Sequence, residues 1–185
     1  MVLSGSTWNR LALITALVKE MPGLGRTAIM KLPFFLVVLR NVPLDYDFRL
    51  YTYGPFDSNV LDDLSYAESL EAVKSELIYH LGGYGYSIRP GVKADDIEAR
   101  GREFLEKYRE DIHWVIQKFG NESASSLELL STVVYVDREA LEQGENLSIE
   151  ELATRVHEVK PHFSKEVIRS RAESLLGEDF LKSVV

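Results

Sequence analysis

The chain has 185 residues, 45% hydrophobic and 27% charged, enough apolar material to bury a core and typical of a globular protein. It contains no cysteine, which excludes disulfides, thiolate metal sites and cysteine nucleophiles and agrees with a reducing cytoplasm as the expected location. The net charge of −8 is uneven, with 8 Lys+Arg against 9 Asp+Glu in residues 1–92 and 13 against 20 in residues 93–185, so only the front half can gather a basic face for phosphates.

Neither a basic leader region nor an uncharged stretch of about 18 residues is present, so no signal peptide and no membrane span are expected. The first predicted helix is capped by Thr7 and runs to Met21, with Trp8, Leu11, Ile14, Leu17 and Met21 at helical spacing. Pro22-Gly23-Leu24-Gly25 breaks it. Gly23–Thr27 lacks the Gly-Lys-Ser/Thr of a phosphate loop, so these glycines read as turn residues.

A second helix spans about Arg26 to Arg40 and is apolar on nearly every side, which marks it as the buried post of the domain. Pro33 inside it removes one backbone bond and predicts a kink or a split. Phe48, Leu50, Tyr51 and Tyr53 form a short aromatic strand that Gly54-Pro55 ends. Asp57 or Ser58 caps a third helix to about Leu70. Leu77-Ile78-Tyr79 and Tyr86-Ser87-Ile88, joined through His80–Gly85, form a glycine-turned hairpin.

After Pro90-Gly91 the composition becomes strongly charged, which sets a boundary at about residue 92. One long helix is expected from Asp95 to Phe119, with Ile97, Phe104, Leu105, Tyr108, Ile112, Val115 and Ile116 on its stripe. Ser125 or Ser126 caps the next, which ends near Leu141. Ser148 and Glu151 form a capping box, and Ser164 caps a last helix stopped by Gly177. The expected architecture is mainly α (α+β). A winged-helix-like core with a β-hairpin wing occupies residues 1–92, and a helical extension packed on it occupies residues 93–185.

Lys31-Leu32 with Phe34-Phe35, then Tyr53-Gly54-Pro55-Phe56 leading to Val60 and Leu64, resembles the Panacea domain of SocA-like antitoxins and, more closely, the largely uncharacterised YwgA-type proteins. The Ser126–Thr132 run and Lys160-Pro161-His162-Phe163-Ser164 are similar to the helical tail of such proteins. The chain departs from the family pattern at Pro33 and at Phe34-Phe35, where a tyrosine is usual. The resemblance implies a compact helical domain with a small sheet that acts by protein contact or regulation, and it carries no catalytic residues over.

The four histidines, His80, His113, His157 and His162, form no ligand pair at helical spacing, so no metal and no cofactor are implied. Asp62 and Asp63 are adjacent on a helix and point about 100° apart, a poor arrangement for one shared site. No hydrolase or dinucleotide motif is present, and an enzyme is not expected. A third helix with five carboxylates between Asp57 and Glu71 and no basic residue is a poor reader of DNA. A DNA-binding regulator would instead grip through its wing, with Arg26, Lys31, Lys74, Tyr84 and Arg89 as the candidates.

Protein binding fits the residues best: Tyr53, Phe56, Asp62, Asp63 and Tyr66 form the candidate contact set, suited to a basic partner. Phe56 is either a core anchor or an exposed contact. The stripe of the 95–119 helix either packs back on the domain or pairs with its copy in a homodimer.

Overall fold

The computed structural model describes residues 4–80 and 83–184. In chain order these form α1 (Gly5–Glu20), α2 (Arg26–Arg40), β1 (Arg49–Tyr51), β2 (Gly54–Phe56), α3 (Ser58–Ser69), β3 (Val73–His80), β4 (Gly83–Pro90), α4 (Ala94–Arg100), α5 (Arg102–Lys107), α6 (Arg109–Phe119), α7 (Ala124–Glu142), α8 (Ile149–Val159) and α9 (Lys165–Gly177). The fold is mainly α with two antiparallel hairpins, and α1–α2–α3–β3–β4 has winged-helix-like order. The expected turn residues Leu81 and Gly82, and the side chain of His80, lie outside the described residues. Among the described residues no helix is long and apolar enough to cross a membrane.

Two compact units divide the chain. The first is the chain up to Phe48 with Asp57–Ala124, and the second is Arg49–Phe56 with the chain from Ser125 onward. They part at Ala124–Ser125 rather than at the boundary expected near residue 92, because α4 packs on α1 and α6 packs on α2. The hairpin β1–β2 belongs to the second unit.

The first unit is built around α1 and α2. Leu11–Val18 and Ala28–Leu36 are unbroken buried runs, so each helix is covered on all sides at its centre. Helix α2 continues through Pro33 without splitting and ends at Asn41, whose left-handed backbone turns the chain away. Phe35 stacks on Phe119 of α6 at 3.9 Å, and Phe34 meets Phe48 edge-on at 5.3 Å. Ser4, not Thr7, caps α1, accepting from the Thr7 amide at 3.2 Å.

The long helix expected over 95–119 is three helices, broken at Gly101 and Tyr108, where the backbone leaves helical geometry. The first break serves packing. A Cβ at Gly101 would lie 2.4 Å from the Ala12 Cβ of α1, so the chain turns here at its closest approach to that helix. Ile97, Phe104, Ile112 and Val115 are consequently buried in this unit, and no continuous stripe remains to pair with a copy.

Gly54-Pro55 does not end a strand, as expected, but starts β2. Tyr51 opposes Gly54 across the two-residue turn Thr52-Tyr53, and Leu50 opposes Pro55. Hydrogen-bonded pairs alternate, so Pro55 falls where the ladder uses no amide. Helix α7 starts at Ala124, slightly before the expected Ser125 or Ser126 cap. In the same unit, α8 packs on α9, and both expected caps are present at Ser148 and Ser164.

Gly101→Ala should destabilise the first unit by about 1–3 kcal/mol through overpacking against Ala12, seen as a lower denaturant midpoint. The Ser148 box makes a second prediction. Ser148→Ala should cost about 1 kcal/mol at neutral pH. The Ser148 amide and hydroxyl hold the Glu151 carboxyl below its ordinary value of 4.5. A lowered carboxylate adds stability that is present above that value and lost as pH falls through the folded-state pKa. The advantage of the wild type over Glu151→Gln, measured by thermal melts, should therefore fade below pH 4.5.

Candidate protein-interaction surfaces

In the second unit a buried lysine builds the turn between β1 and β2. Pro161 stops α8, and Lys160 leaves the helix with only 1% of its surface exposed. Its ammonium donates to the carbonyls of Thr52 and, at 3.4 Å, Tyr51. Glu128 of α7 sets its Oε1 2.9 Å from the same nitrogen, a charge contact outside hydrogen-bond geometry. His162 Nε2 lies 3.5 Å from that carboxylate oxygen, and His157 Nδ1 lies 2.8 Å from the carbonyl of Phe163. Burying an ammonium is costly unless opposite charge and acceptors surround it, and here both do.

The other side of the turn rests on α7. Gly54 has φ +84°, and a Cβ there would lie 2.9 Å from Thr132 Oγ1 and 3.3 Å from the Glu128 carbonyl. Only glycine fits that backbone and that space. The turn so held displays Tyr51 and Tyr53 at 70% and 72% exposure. Phe56 is half-buried, its ring 5.8 Å from that of Tyr51, and is neither a full core anchor nor a free contact.

The other three expected contact residues belong to α3 of the first unit, so the set falls on two compact units. Asp62 and Tyr66 are exposed there. Asp63 is buried. It accepts from Arg10 Nε at 2.7 Å and from the Tyr46 hydroxyl at 2.9 Å, locking α1 to α3, and it is not a surface contact. Burial works against the charge of Arg10, but the hydrogen bond and charge of Asp63 hold its pKa above the ordinary value. Burial, and then the Asp63 charge, push the Tyr46 hydroxyl far above its usual range. Asp57 is buried too, accepting from the amides of Asn59 at 2.8 Å and Asp47 at 2.6 Å. The acidic face of α3 is therefore smaller than its sequence suggests.

The basic candidates do not line up as a stripe. Lys31 is 2% exposed inside α2 and cannot meet a phosphate. Arg26 is exposed, its guanidinium 3.6 Å above the ring of Tyr86. Lys74 and Arg89 both approach Glu76, at 3.1 and 3.8 Å. The Lys74 hydrogen bond holds that carboxyl below its ordinary range, so it is charged and interrupts the cations. Tyr84 is exposed and meets Tyr86 edge-on at 6.4 Å. Among the described residues no group of three or more His, Asp or Glu is placed to hold a metal ion.

Sequence inspection missed Lys160 and Glu128. The helix stop at Lys160-Pro161 was the available signal, but nothing local distinguishes a lysine that turns inward from one that faces water.

Lys160→Met should cost about 3–5 kcal/mol, since it leaves the buried Glu128 without its cation and two carbonyls without their donor. Adding Glu128→Leu should recover part of that loss. A double-mutant cycle from denaturant titrations measures the coupling.

No protein-family model matches this chain, and no curated protein matches it significantly.

Proposed function

We propose that this chain is a non-enzymatic regulatory module of the cytoplasm that binds another protein through the Tyr51–Thr52–Tyr53 turn. The observation that carries this is the buried Lys160, which fixes the backbone of a turn whose two tyrosines face water. A fixed turn loses little entropy on binding. Tyrosine combines a large apolar face with a polar tip, and it is enriched where proteins meet. Its ring also accepts cations, so a partner presenting basic and apolar side chains suits both the turn and a chain of net charge −8.

The interrupted cations of the wing support the same reading against DNA. Counterion release rewards several basic residues meeting phosphates together. Here Lys31 is internal, and Glu76 shares Lys74 and Arg89. The likeness of Tyr53-Gly54-Pro55-Phe56 and the later tail to Panacea-type proteins points to the same role.

The Tyr51→Ala/Tyr53→Ala double variant tests it. Its stability should stay within about 0.5 kcal/mol per site, because both side chains are exposed. A photo-crosslinker in place of Thr52 should capture a partner in the wild-type background and lose it in the double variant. Capture that survives the double variant places the contact elsewhere. The companion measurement is fluorescence anisotropy with a random labelled duplex over a salt series. Binding weaker than about 10⁻⁴ M is expected, and micromolar binding with a steep salt slope would replace the protein partner with DNA.

A further inference from the structure

The two edges of the wing differ. On β4, the Ile88 amide donates to the Leu24 carbonyl at 2.9 Å, and the Gly23 amide donates to the Ile88 carbonyl at 2.7 Å, so that edge is covered at Ile88. Ile88 opposes Ser75 on β3. Since Ile88 turns its backbone groups outward, Ser75 does the same on the other side, and so by alternation do Val73, Leu77 and Tyr79. Val73 is buried. Among the described residues, the outward amides and carbonyls of Ser75, Leu77 and Tyr79 have no backbone partner.

Open edges are ordinarily guarded by charge or proline. Here the charges stop at Glu76, and Lys74, Glu76 and Arg89 pair among themselves. Beyond them Leu77, Ile78, Tyr79 and Tyr84 are all exposed, Tyr79 at 81%, and they occupy both faces of the ribbon.

We propose that β3 pairs antiparallel with β3 of a second copy of this chain, about a two-fold axis at Leu77, joining two wings into one four-stranded sheet. The occupant follows from what each register opposes. A two-fold at Ser75 needs the outward groups of Val73, which are buried. A two-fold at Glu76 opposes Tyr79 to Val73, whose outward groups are buried, and so leaves only the Ser75–Leu77 pairs. A two-fold at Ile78 leaves only the tip of the strand to pair. At Leu77 the strand is self-complementary: Leu77 meets Leu77, Ser75 meets Tyr79, and Glu76 meets Ile78. Each outward pair exchanges both backbone bonds. Self-complementarity of this kind is what a two-fold interface requires. The surface is distinct from the Tyr51–Tyr53 turn and stands or falls separately from it.

Sedimentation velocity of the full chain over a concentration series at about 0.15 M salt tests the proposal. The expected result is a monomer–dimer equilibrium that strengthens with added salt, because two copies of net charge −8 repel at long range. Leu77→Glu should raise the dissociation constant at least about tenfold and leave the melting temperature unchanged. Tyr79→Pro is a second variant, which removes only an outward amide and spares the ladder with β4. It should act in the same direction. In hydrogen exchange, the Leu77 and Tyr79 amides should slow as concentration rises. A chain that stays monomeric to millimolar concentration overturns the proposal, and so does a dimer that survives both variants with those amides still exchanging fast.

Discussion

A helix with no polar face must be covered from every direction, and the first unit is the solution to that constraint for α2. Nine consecutive buried residues, Ala28 to Leu36, leave no side of it for water. Helix α3 and strand β4 of the hairpin cover part of that surface, and α6 returns across a charged segment to cover more through Phe35 and Phe119. The demand reaches even Lys31 and Pro33. Lysine ordinarily faces water and proline ordinarily interrupts a helix, yet both are buried inside this one. It also explains the three short helices after the wing. A straight rod from Asp95 to Phe119 follows one line, whereas α4 must lie on α1 and α6 on α2, so the chain bends at Gly101 and Tyr108.

Features legible in the sequence were those whose physics is local. Helix α2 is apolar enough to declare its own burial, and its observed bounds are the expected ones. The box of Ser148 and Glu151 needs only four residues, and both reciprocal bonds form. Asp57 and Ser164 cap for the same reason. The features that escaped depend on distance along the chain. The break at Gly101 is decided by Ala12, the left-handed Gly54 by Thr132, and the inward turn of Lys160 by carbonyls more than a hundred residues away. Helical periodicity has no term for such contacts, which is why a continuous stripe was expected where three helices form.

Charge shows the same division between counting and placing. Five carboxylates on and around α3 suggest an acidic face, but two of them are structural. Asp57 holds the helix start, and Asp63 ties Arg10 and Tyr46 together. Asp63 contributes little field at the surface, because its partner cation, Arg10, lies within hydrogen-bond distance. The same holds for cations, since Lys74 and Arg89 share Glu76, and Lys160 is enclosed with Glu128. Net charge still sets long-range repulsion, but which partner a surface suits depends on the charges left unpaired.

The two proposed contact surfaces differ in kind, each following from a different fate of the backbone. In the turn after β1 the carbonyls are consumed by a buried ammonium, so what remains for a partner is the side chains of Tyr51 and Tyr53 on a fixed frame. On β3 the backbone itself is unspent, and the exposed Leu77 and Tyr79 lie beside it. A surface of the first kind discriminates by side-chain shape and charge, because its main chain cannot rearrange to meet a poor fit. One of the second kind accepts any extended strand through its main chain and discriminates only by what the flanking side chains oppose. On β3 a further limit falls at Val73, whose backbone is buried, so in the proposed pairing the register about Leu77 is the one that opposes Ser75, Leu77 and Tyr79 to one another without calling on Val73.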